Sequence, residues 1–117
     1  MRVAIIGSRE IGNFSVESMI PHIPQNASEL VSGGAIGIDS LAEKAAILLE
    51  LPIKIFLPDY DTNGRLAPLF RNLQIVDYAD LVLAFWDNQS RGTAHALNHC
   101  VQTSKPFRII SLHSTLI

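Results

Sequence analysis

The chain has 117 residues, of which 48% are hydrophobic, and its formal net charge at pH 7 is −2. This length and apolar content suffice for one core, so we predict a single domain over residues 1–117, while the acidic balance argues against a nucleic-acid partner. Its lone cysteine, Cys100, excludes an internal disulfide, and no apolar run approaches the roughly 20 residues that cross a bilayer, so we expect a cytoplasmic protein without a membrane partner.

Short apolar runs alternate along the chain with segments of helical period. The runs predict strands at residues 3–7, 29–32, 53–57, 81–86 and 107–112. Four stripes predict the helices between them: Val16, Met19, Ile20 and Ile23; Ile38, Leu41, Ala42, Ala45, Leu48 and Leu49; Leu66, Leu69, Phe70 and Leu73; and Ala94, Leu97 and Val101. Asn13 or Ser15 can cap the first helix, Pro21 kinks or shortens it, and Pro52 ends the second.

The strands lack polar alternation, which indicates a sheet buried on both faces. The alternation of strands and helices, joined by right-handed crossovers, makes such a sheet parallel. We therefore predict an α/β fold, a Rossmann-like three-layer sandwich with a mostly parallel five-stranded sheet.

Glycines and hydroxyls collect where the predicted strands end, which is where ligands bind in such folds. A first loop, residues 33–37, contains Gly33, Gly34, Ala35 and Gly37, and a second loop, residues 90–93, contains Ser90, Gly92 and Thr93. Each loop can bind phosphate through the amides at a helix start. Each can equally serve the fold alone, the first as a tight turn and the second as a helix cap, and the sequence leaves both readings open.

Other polar and aromatic residues flank the two loops. Arg9, Arg65, Arg71 and Arg91 lie in or beside the predicted mouth, although helical period turns Arg71 toward solvent. Asp39 can complement the helix dipole or accept a ribose hydroxyl. Trp86 and Tyr60 can stack on a base, while a tryptophan at a strand end also suits the core.

Several familiar motifs fail on inspection. Residues 7–12 have P-loop glycine spacing, but Asn13 and Phe14 stand where lysine and a hydroxyl residue must follow. His95 and His99 are spaced i, i+4 without the glutamate of a zinc-protease helix or an evident third ligand. We predict no metal and no cofactor.

Four blocks, VAIIGSR, VSGGAIGIDSLAEKAA, GRLAPLFRN and ADLVLAFWDNQSRGTAHAL, together resemble the SLOG superfamily. It unites Smf-type DNA-processing proteins, Lonely Guy enzymes and a small YspA-like branch, which is the most similar of the three. The resemblance spans residues 3–110 and implies a Rossmann-like pocket for nucleotides or derivatives such as ADP-ribose, and a homodimer. By position it implies these site residues: Gly7, Ser8, Arg9, Gly33, Gly34, Gly37, Asp39, Arg71, Asn72, Ser90, Gly92 and Thr93.

The chain also departs from these relatives. Ile36 stands where the small branch often has arginine. Ala96 stands where the Lonely Guy phosphoribohydrolases carry a glutamate, so Asp39 or Asp87 would have to substitute in catalysis, and whether the chain is an enzyme stays open. Our leading expectation is a sensor or carrier module for a nucleotide-derived phosphate ligand. The alternatives are N-glycosidic hydrolysis of a nucleoside monophosphate and single-stranded DNA binding; the negative charge and the scarcity of lysine argue against the last.

Overall fold

The computed structural model describes residues 1–112 of the chain. The strands are β1 Arg2–Gly7, β2 Glu29–Ser32, β3 Ile53–Ile55, β4 Leu81–Trp86 and β5 Phe107–Ser111. The helices are α1 Val16–Met19, α2 Ile38–Leu48, α3 Tyr60–Asn63, α4 Ala67–Tyr78 and α5 Arg91–Thr103. Two 3₁₀ turns, Ile20–His22 and Gly64–Leu66, extend α1 and α3.

The strands form one sheet in the order β3-β2-β1-β4-β5, and every neighbouring pair is parallel. The predicted α/β fold with a five-stranded sheet is thus confirmed. Strand order reverses between β1 and β4, so the connections that follow these two strands leave in opposite directions. Such a reversal opens a crevice beyond the carboxyl ends of the strands, and the polar loops meet there.

Both faces of the sheet are covered, which explains the continuous apolar runs in its central strands. In β1, Val3 and Ile5 pack with residues of α1 and α2, whereas Ala4 and Ile6 pack with residues of α4 and α5. Successive side chains of a strand point to opposite faces, so each central strand must be apolar at every position. The result is the predicted three-layer sandwich.

The start of the first helix follows the sequence signals closely. Ser15 Oγ accepts the Ser18 N–H at 3.3 Å and caps α1, and the α-helix gives way to the 3₁₀ turn that contains Pro21. Proline has no N–H to donate and its ring crowds the preceding turn, so the α-helix ends there. The predicted cap and the predicted shortening are both confirmed.

The predicted buried face of α4 is wrong. Leu66 and Phe70 are 56% and 46% exposed, whereas Ala67, Arg71, Ile75 and Val76 are buried. The inward face is therefore rotated by one residue from the apolar stripe. Its position follows from the packing of α4 against α5 and β1, which places Arg71 under the crevice.

Smaller corrections apply to three other elements. Leu48 at the end of α2 and Val101 in α5 are exposed, and α5 instead buries Thr93, Ala96, Leu97 and Cys100. Strand β3 ends at Ile55, after which the Phe56 N–H donates to Ser32 O and the chain turns away from the sheet. Within residues 1–112, no helix is long and apolar enough to cross a bilayer.

Candidate functional site

Two adjoining cavities lie beyond the carboxyl ends of the strands. Their volumes are about 420 Å³ and about 320 Å³, and both are lined by Arg9, Ala35, Ile36, Pro68 and Arg71. The larger continues past Gly7 toward the second loop, and the smaller continues past the first loop toward Tyr60. Because the cavities share a wall and a floor, we treat them as one groove.

The structure brings most of the predicted site residues to this groove. Those that line it are Gly7, Arg9, Gly33, Gly34, Ala35, Asp39, Arg71, Asn72, Ser90, Gly92 and Thr93. Ser8, Gly37 and Trp86 do not line it. Ser8 is fully buried behind the groove wall, where its Oγ accepts the Asp87 N–H at 2.9 Å.

Gly37 joins the start of α2 to the chain that leaves β1. Its φ is +81°, and a Cβ atom there would lie 2.5 Å from Ser8 O and 2.6 Å from both Arg9 Cα and Arg9 O. The next amide, Ile38 N–H, donates to Ser8 O at 3.1 Å. Only glycine permits this close approach of two backbones, so Gly37 has a structural task whatever the groove binds.

Asp39 points back at the first loop. Its Oδ2 accepts the Ala35 N–H at 3.1 Å, so the protein itself occupies that amide. Burial raises the pKa of Asp39, and this rise is opposed by the Ala35 N–H, the positive charge of Arg71 and the Ser32 hydroxyl. The carboxylate thus shapes the first loop and offsets part of the charge of the groove floor.

Arg71 forms that floor, which corrects the expectation that it faces solvent. Its Nη1 donates to Gly33 O at 2.6 Å and its Nε to Asn72 Oδ1 at 2.9 Å. Asn72 in turn donates from Nδ2 to Gly92 O at 3.3 Å. Burial lowers the pKa of Arg71, but arginine starts so high that it stays protonated in the physiological range.

The second loop is held by its own hydrogen bonds. Ser90 Oγ accepts the Thr93 N–H at 3.3 Å and caps α5, while Asp87 Oδ1 accepts the Gln89 and Ser90 N–H groups at 2.9 Å each. These amide bonds lower the pKa of Asp87. Trp86 Nε1 donates to Ser90 O at 3.0 Å, and its ring packs against the core layer of α4 and α5.

The groove rim combines positive charge with exposed apolar surface. Arg9 is exposed on the shared wall, and its charge is close enough to lower the pKa of Arg71. Tyr60 is 58% exposed at one end, beside Leu57 and Pro58, and Glu10 and Asp87 lie at the other.

Sequence reasoning did not assign Glu10, Leu57, Pro68, Leu69 or Gln89 to the groove. Pro68 and Leu69 lie inside the GRLAPLFRN block, so the block itself was their signal. Across residues 1–112, no cluster of three or more His, Cys, Asp or Glu could hold a metal ion.

The contact of Gly37 with Ser8 and Arg9 joins two segments of the sequence, GSR at residues 7–9 and GID at residues 37–39, into one substructure. That substructure lies within the stretch of the chain that matches a family model. Residues 1–57 match the family model described as DNA recombination-mediator protein A. The match runs from β1 through β3 and ends before α4 and the second loop.

The fold also has a counterpart among solved structures. The chain superposes on DNA processing protein A from Helicobacter pylori with a TM-score of 0.74 and 22% sequence identity, and that structure concerns the protein's single-stranded DNA binding mode. The superposition covers 93% of this chain but 64% of the other, so this chain spans less than two thirds of that protein's length. No curated protein gives a significant sequence match to the chain.

These comparisons support the SLOG resemblance at the level of the superfamily, without distinguishing the YspA-like branch. They contradict the expectation of a sensor or carrier for a nucleotide-derived ligand and the expectation of no nucleic-acid partner, since both matches are to DNA-processing proteins. The charge argument was wrong because net charge sums over the whole surface. A negative net charge does not exclude local positive charge, which Arg9 and Arg71 supply at the groove.

Proposed function

We propose that the chain binds single-stranded DNA along the groove. The observation that carries this proposal is the shape and lining of the groove: it runs between two loops past Arg9 and Arg71 and reaches exposed Tyr60. Single-strand binding proteins typically combine a positive groove that follows the backbone with aromatic side chains on which bases stack. The DNA-binding neighbour with the same fold supports the proposal.

The lining divides into a phosphate side and a base side. Arg9 is suited to phosphate, since its exposed guanidinium carries a positive charge and several donors on the shared wall of the groove. Tyr60, Leu57 and Ile36 are exposed apolar surfaces suited to bases. Glu10 and Asp87 repel phosphate at one end, so we expect the strand to run from Arg9 toward Tyr60.

Those predicted site residues that line the groove enter this proposal as groove residues for DNA. We likewise propose, from the resemblance, that the chain represents the YspA-like branch, forms a homodimer and works in the cytoplasm as a single domain over residues 1–117.

Fluorescence anisotropy with a labelled oligo(dT) tests the proposal, with the duplex of the same sequence as competitor. We expect saturable binding at low salt that weakens as salt rises, with a slope that reports the number of phosphate contacts. Arg9→Ala should weaken binding and lower that slope by about 0.7, the value of one single-strand phosphate contact. Arg108→Ala, a change at an exposed arginine of β5 away from the groove, should leave the slope unchanged.

Tyr60 tests the base side. Tyr60→Ala should cost about 1–3 kcal/mol of binding free energy with an unchanged salt slope, because stacking is lost while phosphate contacts stay. Tyr60→Phe keeps the ring and should bind like wild type. Absence of binding at low salt, or equal binding of duplex, would refute the proposal.

A further inference from the structure

The two loops that line the groove are held by consecutive residues of one helix. Arg71 Nη1 donates to Gly33 O of the first loop at 2.6 Å, and Asn72 Nδ2 donates to Gly92 O of the second loop at 3.3 Å. The first contact reaches back 38 residues in the chain and the second reaches 20 residues forward. Helix α4 therefore ties together segments that follow different strands.

The bond between the two side chains determines how Asn72 faces the second loop. Arg71 Nε donates to Asn72 Oδ1 at 2.9 Å. A side-chain amide carries its acceptor and its donor on different atoms, so engaging Oδ1 with Arg71 leaves Nδ2 as the donor toward Gly92. An unbroken series of hydrogen bonds thus runs from Gly33 through Arg71 and Asn72 to Gly92.

Arg71 differs in this respect from Arg9, although both line the groove. Arg71 is buried, and two of its three guanidinium nitrogens are engaged within the protein. Its side chain is held by hydrogen bonds to the loop and to Asn72, and the Asp39 carboxylate is close enough to attract its charge. Arg9 is exposed and shares no such network in residues 1–112.

We propose that Arg71 and Asn72 are positioning residues that set the separation and relative orientation of the two loops. Their effect on DNA rests on the proposed function, because it assumes that the groove between the loops is the binding site. Their effect on the loops requires no ligand. A substitution at Arg71 therefore changes the second loop through Asn72, although Arg71 itself donates to the backbone of the first loop.

The protein contains a built-in reporter of the second loop. Trp86 is the single tryptophan of the chain, and its Nε1 donates to Ser90 O at 3.0 Å. Loosening the second loop breaks or lengthens this bond and opens the ring to solvent. Quenching of tryptophan fluorescence by acrylamide measures that change without any DNA.

Two variants with matched controls test the network. Asn72→Ala removes the donor to Gly92, and Arg71→Lys keeps the charge but replaces the two separate donor nitrogens, Nε and Nη1, by a single ammonium. Both should raise the quenching constant of Trp86 above the wild-type value. The controls Asn98→Ala and Arg108→Lys, at exposed positions of α5 and β5, should leave it unchanged. Far-UV circular dichroism identifies folded variants, and the Asn72→Ala arm is decisive if Arg71→Lys fails to fold.

The same variants are then measured with oligo(dT) across salt concentrations. Arg71→Lys loses a hydrogen bond made by a charged group, so we expect it to bind oligo(dT) about tenfold more weakly than wild type. We expect a similar loss of affinity for Asn72→Ala. Both variants should keep the wild-type salt slope. Wild-type affinity in Arg71→Lys would mean that Arg71 acts as a phosphate contact and would overturn the proposal. Unchanged Trp86 quenching in a folded Asn72→Ala would overturn it as well. If wild type binds no DNA, the proposed function fails while the Trp86 measurement still decides the network.

Discussion

Replacing Gly37 by alanine should destabilise the protein strongly. At φ +81° and ψ −126° the backbone lies outside the regions open to other residues, which costs about 1–3 kcal/mol. The added Cβ would lie 2.5–2.6 Å from backbone atoms of Ser8 and Arg9, which cannot rotate away, and overpacking of this kind costs about 1–3 kcal/mol more. The expected loss is about 2–6 kcal/mol, a large share of the roughly 5–15 kcal/mol that holds a domain folded.

Urea unfolding followed by Trp86 fluorescence and circular dichroism measures this loss. With an m-value of about 2 kcal/mol/M, the midpoint should fall by about 1–3 M. Gly12→Ala is the matched control: its φ is +58° and no heavy atom lies within 4 Å, so it should cost only about 1–2 kcal/mol. Gly92→Ala lies in the first turn of α5 with its nearest contact at 3.7 Å, and should be neutral or gain up to about 1 kcal/mol. Equal midpoints for Gly37→Ala and Gly12→Ala would refute the close-approach reasoning.

Two further predictions concern single groups of the groove. Ser90→Ala removes the cap of α5 and should lower the free energy of unfolding by about 1 kcal/mol in the same urea assay, whereas Ser90→Asp should retain most of it; an unchanged free energy of unfolding in Ser90→Ala would show that the cap contributes nothing. For Asp39, burial raises the pKa in the folded state, so its contribution to stability is full below the unfolded pKa and is lost as pH rises through the folded pKa. The free energy of unfolding of wild type minus that of Asp39→Asn should therefore fall as pH rises above the unfolded pKa of about 4, and a pH-independent difference would contradict the raised pKa.

Strands were predictable here because a sheet covered on both faces requires apolar side chains at consecutive positions. The predictions for β2 and β4 match the structure at both ends. Strand β3 lies at the edge of the sheet, where the demand for apolar residues is weaker, and its end was predicted two residues too late. The cap of α1 was predictable because Ser15 acts within one turn of its own chain.

Helix faces were harder to predict, since apolar residues can lie at a binding groove as well as in a core. Leu66 and Phe70 continue an apolar stripe yet are exposed, and Arg71 interrupts it yet is buried. An arginine is stable there only because the Gly33 carbonyl and the Asn72 side chain lie within hydrogen-bond reach. The Gly33 carbonyl belongs to a loop 38 residues away in the sequence, and the Asn72 side chain belongs to α4 itself. The helical period of the sequence indicates neither hydrogen bond.

By itself, the sequence determined the order of elements, the parallel sheet and the edge at which the polar loops gather, because local period and chain connectivity decide these features. Only the tertiary structure decided which groups remain available at that edge. It committed the Ala35 amide to Asp39, the Gly33 carbonyl to Arg71 and the Ser8 hydroxyl to Asp87, and it left Arg9 and Tyr60 exposed. The physical reason is that hydrogen bonds between distant segments depend on the packing of whole helices against the sheet.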